Sequence, residues 1–165
     1  MSTVVWSVAV IVLIACYVTW TAGRLDRLHA RVDGRWAALD AQLVRRAAAA
    51  RGLIPYLPQG AERDRLDLTA AAALEAGERE REAVENDLSR ALKAAVPLLG
   101  EAVEAAHARA ELEAAVARVG LARSFHNSAV HATRAVRRRR LPRALRLAGH
   151  RELPTYFDVD DTALV

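Results

Sequence analysis

Glu104 and His107 stand three residues apart in a helix-prone stretch. That spacing puts a carboxylate and an imidazole on one helix face. A carboxylate-bridged di-metal bundle needs Glu-x-x-His twice, plus two further inward Glu; this chain has it once. His126 and His131 are five residues apart and project from different faces. Cys16 is the only cysteine, which excludes an intrachain disulfide and a Cys-based metal site. No nucleophile–His–Asp arrangement and no glycine loop able to cradle phosphate is present. The residue types therefore predict a protein that is not an enzyme, with no catalytic residues, no cofactor and no metal.

The chemistry that remains is electrostatic. Arg137, Arg138, Arg139 and Arg140 are contiguous, and Arg143, Arg146 and Arg151 follow. Arg137, Arg138, Arg139, Arg140, Arg143 and Arg146 are the candidate contacts for an anionic partner, either lipid or protein. Nucleic acid is disfavoured, because no nucleic-acid-binding motif accompanies the arginines. The bland alternative is a solvated terminus. Two other polar residues stand out: Arg123 and Asn127, four apart beside Phe125, with Asp40 and Gln42 as candidate partners. The run EREREAVE, residues 78–85, reads as a solvated helix face.

These side chains need elements to hold them, and the first element is the N-terminal stretch. Residues 1–23 carry no ionisable side chain, and 4–20 are almost all aliphatic or aromatic. As a helix, 23 residues reach about 34 Å, against a bilayer hydrocarbon core of about 30 Å. Lipid offers the backbone no water, so a lone span must be helical. Trp6, Tyr17 and Trp20 lie towards its ends, where amphipathic rings prefer the interface. Arg24, Arg27, Arg31 and Arg35 follow the span and no Lys or Arg precedes it. Positive flanks stay cytoplasmic, which predicts an outside N-terminus and a cytoplasmic domain. Leu13-Ile14-Ala15-Cys16 resembles a lipobox, but the apolar run continues past it to Trp20 and no basic n-region precedes it. An intact mass lacking residues 1–15 and carrying acyl chains would establish the lipoprotein reading.

About 140 residues remain, enough for one core. Hydrophobic residues make up 53% and charged residues 27%, outside the disordered range. Leu25, Leu28, Val32, Trp36, Leu39, Leu43 and Ala47 step by 3 and 4, one helical stripe that predicts a helix continuing from the span to about Leu53. Pro55, Pro58 and Gly60 interrupt it. Helix is predicted again over 62–76 and through Val84, Leu88, Leu92 and Val96, with Gly77 weakening the join. A third long helix is predicted over 101–138, with Val103, Ala106, Ala110, Ala114 or Ala117, Leu121, Phe125, Ser128, Ala132 and Val136 as its inner stripe. No strand pattern appears. Trp36, Leu39, Leu43, Leu88, Leu92 and Phe125 are the expected core. Three helices alternating in direction would leave the Arg run about 45 Å from the membrane, well beyond a screening length of about 8–10 Å.

Several blocks together resemble the LemA family of small bacterial membrane proteins. They are RVDGRWAALDAQLVRRAAAARGLIP at 31–55, ENDLSRAL at 85–92, ELE at 111–113 with ARSFHNSAV at 122–130, and PTYFDV at 154–159. The departures are a missing Asn before the third block, a shortened turn at 97–100, and Pro58 and Gly60 where helix would continue. The resemblance implies an antiparallel helical bundle on an N-terminal transmembrane helix, with the N-terminus outside, and supplies no enzymatic activity.

The expectation is an all-α chain: an anchor at 1–23, an elongated antiparallel three- to four-helix bundle at 24–140, and a basic then acidic tail at 141–165. Its expected function is that of a non-enzymatic scaffold or adaptor, single-pass in the bacterial inner membrane, with a protein partner or a homo-oligomer. The alternative is an anionic-lipid-binding module acting through residues 137–151.

Overall fold

A computed structural model describes residues 2–139 and 151–159. Its elements are four helices: α1 (Ser2–Gly52), α2 (Ala61–Glu75), α3 (Arg81–Ala95) and α4 (Val103–Arg137), with 3-10 turns at Ile54–Tyr56 and Val96–Leu98. No strand occurs among the described residues. The chain forms two compact units: Met1–Arg35 with Asn127–Tyr156, and Trp36–His126 with Phe157–Val165.

α1 is unbroken for 51 residues, as the sequence predicts. One 18-residue window in it is apolar enough to cross a membrane, and none of that window is buried. From Leu25 onward the predicted stripe turns inward: Leu25, Val32, Leu39, Leu43 and Ala47 are buried. The helix stops at Gly52. Pro55 lacks the N–H that a further turn would need, and it sits in the 3-10 turn that follows. Gly60, at φ 156° and ψ 179°, turns the chain into α2 through a backbone region that essentially only glycine occupies.

The second unit contains the larger core. Ala47 and Ala50 of α1 and Leu53 just after it share one cluster with Leu66 and Ala70 of α2, Leu88 and Leu92 of α3, and Ala108 and Leu112 of α4. Leu39 and Leu43 pack with Val119, and Phe157 and Val159 of the C-terminal segment close that cluster. Trp36 stands edge-on to His126 at 5.5 Å and to Phe157 at 5.6 Å. Within this unit α1 and α4 run antiparallel, since Leu39 and Leu43 reach Val119 while Ala47 to Leu53 reach Ala108 and Leu112.

Three expectations fail here. Over Val103–Phe125 the inner stripe of the last helix is not the predicted one, although Val136 near its end is buried as predicted. Ala105, Ala108, Leu112, Ala115 and Val119 are buried, whereas Phe125 is 46% exposed, Leu121 58% and Val103 80%. Phe125 is therefore not core. An Ala-rich helix offers two apolar faces, and the one holding Leu112 and Val119 is the one that packs in the core. Second, the run at 78–85 is not wholly solvated: Arg81 and Glu85 are buried. Arg81 donates to the Ala73 carbonyl in the last turn of α2, one of the carbonyls that helix leaves unpaired, and its other arm reaches Asp40 at 2.8 Å. Glu85 accepts from Arg46 at 3.3 Å, and Arg46 also donates to Ser89. Third, Asp40 is thus paired with Arg81 rather than with Arg123 or Asn127.

The first unit joins the near part of α1 to the end of α4. Val32 packs against Ala129 and Val130. Thr133 returns its hydroxyl proton to the Ala129 carbonyl at 2.9 Å, a local bond that lets a polar side chain be fully buried.

Candidate functional site

The sequence-predicted site is the arginine run, and half of it is described. Arg140, Arg143 and Arg146 lie outside the described residues. Arg138 and Arg139 are exposed and immediately follow the last turn of α4. Their backbone amides donate to the carbonyls of Arg134 and Val136, at 3.0 and 3.2 Å.

Arg137 does something else. Its guanidinium donates to the carbonyls of Glu152 at 2.7 Å and Arg151 at 2.8 Å. The same Nη1 lies 3.4 Å from Nε2 of the buried His29. Nδ1 of His29 is 2.9 Å from the Leu25 carbonyl, which can only accept, so Nδ1 carries the proton. Nε2 is then left to accept from Arg137. Arg137 therefore holds the 151–152 backbone against α1, and most of its donor capacity is used within the chain. Arg134 acts similarly: Nε donates to the Pro154 carbonyl at 2.7 Å, and its guanidinium lies 4.9 Å from the centre of the Tyr156 ring.

These contacts overturn the geometric objection raised by the sequence. α2 and α3 fold as a short hairpin pair, so α4 is a fourth helix, not a third. Its end comes back beside His29, which is six residues past Gly23, or about 9 Å of helix rise. Arg151 comes to 3.9 Å from Asp33 of α1. The end of this unit thus gathers the exposed Arg27, Arg31, Arg138, Arg139 and Arg151, with Asp26, Asp33 and Glu152 as the acidic members. Arg24 is drawn over Trp20 at 5.6 Å, a cation–π contact at the edge of the apolar run. The site is a basic collar where the apolar part of α1 ends. The sequence hid it because the collar depends on the number of helices, and Gly77 leaves it open whether 62–96 is one helix or two.

In the second unit Arg123 is a tether, not a partner of α1. It donates to the Val159 carbonyl at 2.7 Å and stands 3.4 Å from Asp158. An open groove of about 530 Å³ is lined by residues including Arg51, Ile54, Pro55, Asp67 and Leu74. Arg51 and Asp67 pair at 3.3 Å, and no histidine, serine or cysteine lines it. His107 pairs with Glu111 at 3.5 Å, on the solvent side of α4. Among the described residues, no three His, Cys, Asp or Glu side chains converge as a metal site would require.

None of the family models, curated proteins or solved structures compared with the chain matches it.

Proposed function

We propose that this protein is a non-enzymatic scaffold or adaptor held at the bacterial inner membrane by the apolar part of α1, with its helical units in the cytoplasm, as in the LemA-type architecture that its blocks resemble. The observation that carries this reading is the continuity of α1. One unbroken helix begins as a fully exposed apolar rod and goes on to supply Leu39, Leu43, Ala47 and Ala50 to the core. A water-facing rod of that composition leaves far more apolar area in contact with solvent than a soluble protein shows, and a bilayer accounts for it. The positive flank of the span supports the cytoplasmic side. The test is side-selective labelling. With Cys16→Ser as background, Ala72→Cys should react with a membrane-impermeant maleimide in inside-out vesicles and not in intact spheroplasts. Labelling in intact spheroplasts would overturn the orientation.

The second reading is anionic-lipid binding through the basic collar, and it is favoured by the return of α4 to His29. Charges about 9 Å from the end of the span act within a screening length of about 8–10 Å. In this reading Arg138, Arg139 and the flanking arginines of α1 bind lipid headgroups, and Arg137 positions the segment that carries Arg151. The full chain in nanodiscs with a mixed zwitterionic and anionic bilayer should retain anionic lipid on release into a native mass spectrometer. Arg138→Glu with Arg139→Glu should lower that retention several-fold, and unchanged retention would overturn the reading.

A further inference from the structure

α4 is apolar on two opposite sides. One side, with Leu112 at its centre, is buried in the core of the second unit. The other carries Val103, Ala110, Ala114, Ala117, Leu121 and Phe125, all exposed. At 3.6 residues per turn these six fall within an arc of about 80°, opposite Leu112, and the exposed His107, paired with Glu111, is the polar side chain inside that arc. Val103, Ala114 and Phe125 repeat at 11 residues, or about 3.67 per turn, so the stripe keeps to one side of the helix along its length.

We propose that this outer face seats the same face of a second copy of the chain, as a parallel two-fold pair. Three features select that occupant. The first rests on the membrane-anchor reading of α1: identical chains inserted the same way present α4 in the same direction and at the same height, so the stripe meets itself in register. The second is charge. One flank of the stripe carries Glu104, Glu111 and Arg118, and the other Arg109 and Glu113. In a parallel pair, opposite flanks face each other with an offset of about five residues. Glu113 of one copy then meets Arg118 of the second copy, and by the same offset Arg109, which pairs with Glu113 of its own chain at 2.9 Å, faces a level between Glu111 and Arg118. The third is size. The central alanines let two backbones approach closely, while Val103 at one end and Leu121 and Phe125 at the other supply bulk. The stripe is about 33 Å long and about 10 Å wide, or on the order of 330 Å² per copy. A free-standing interface takes about 800 Å² per partner. The pair is therefore weak in dilute solution and forms where a shared bilayer raises the effective concentration.

The test uses the full chain with Cys16→Ser, reconstituted in liposomes at a low protein-to-lipid ratio and treated with a short bismaleimide. Ala110→Cys or Ala114→Cys should give at least ten-fold more cross-linked dimer than Ala72→Cys, an exposed position on α2. Adding Leu121→Glu, a change at an exposed site, should reduce the Ala110→Cys dimer at least ten-fold with no loss of helical circular dichroism. Cross-linking no greater than from Ala72→Cys, or dimer that persists in Leu121→Glu, would overturn the pairing. Flotation of the same preparation reads the anchor separately. A chain that floats with the vesicles but fails to cross-link contradicts the pairing alone, whereas one that leaves the vesicles contradicts the anchor and the pairing with it.

Discussion

Arg46 and Glu85 meet in the core, their side chains 3% and 0% exposed, and hold α1 to α3. Removing one partner of such a pair strands a buried charge, at a cost of about 3–5 kcal/mol. Glu85→Ala should lower stability by about that amount in thermal unfolding, whereas Arg46→Met with Glu85→Leu should come close to wild type or exceed it. Unequal outcomes of this kind distinguish a register pin from a source of net stability. Arg137 invites a parallel experiment. Arg137→Gln loses charge-assisted bonds to the backbone carbonyls of Arg151 and Glu152, about 1.5–3 kcal/mol each. Amide exchange across 151–156 should rise, with 105–119 unaffected. Neither arginine was legible as internal from sequence. A buried Arg and a solvated Arg share one letter, and the partners, Glu85 and two backbone carbonyls, lie 39 and about 15 positions away.

The helices themselves were largely legible. Steps of 3 and 4 gave the inner face of α1, and prolines with glycines marked its end and the boundaries of the helices that follow. α4 shows where periodicity stops being informative. Period alone identifies a face that is apolar, not the face that turns inward, and in α4 two faces qualify. Packing decides between them. Leu112→Ala should cost about 2–5 kcal/mol, because the cavity it leaves lies among Leu53, Leu88 and Leu92. Leu121→Ala in detergent-dispersed chain should stay within about 0.5 kcal/mol of wild type, as exposed substitutions do. Equal costs at the two positions in unfolding experiments would contradict the burial described for α4. The charged run that opens α3 has the same lesson in reverse: its i,i+4 pattern suggested solvent, while the need to close the end of α2 turned Arg81 inward.

For the molecule as a whole, the organising feature is that one helix is both the apolar rod and a wall of the helical core. Composition alone made that visible, since no charge interrupts residues 1–23. What composition could not supply was the path of the last helix, and so the gathering of arginines at the end of the rod. Carbonate extraction of cell envelopes tests the anchor most directly, because high pH strips peripheral proteins held by charge and leaves spanning helices in place. The full-length chain should remain in the membrane pellet, with its mass intact from Met1. Its recovery in the supernatant, intact and soluble, would contradict the account.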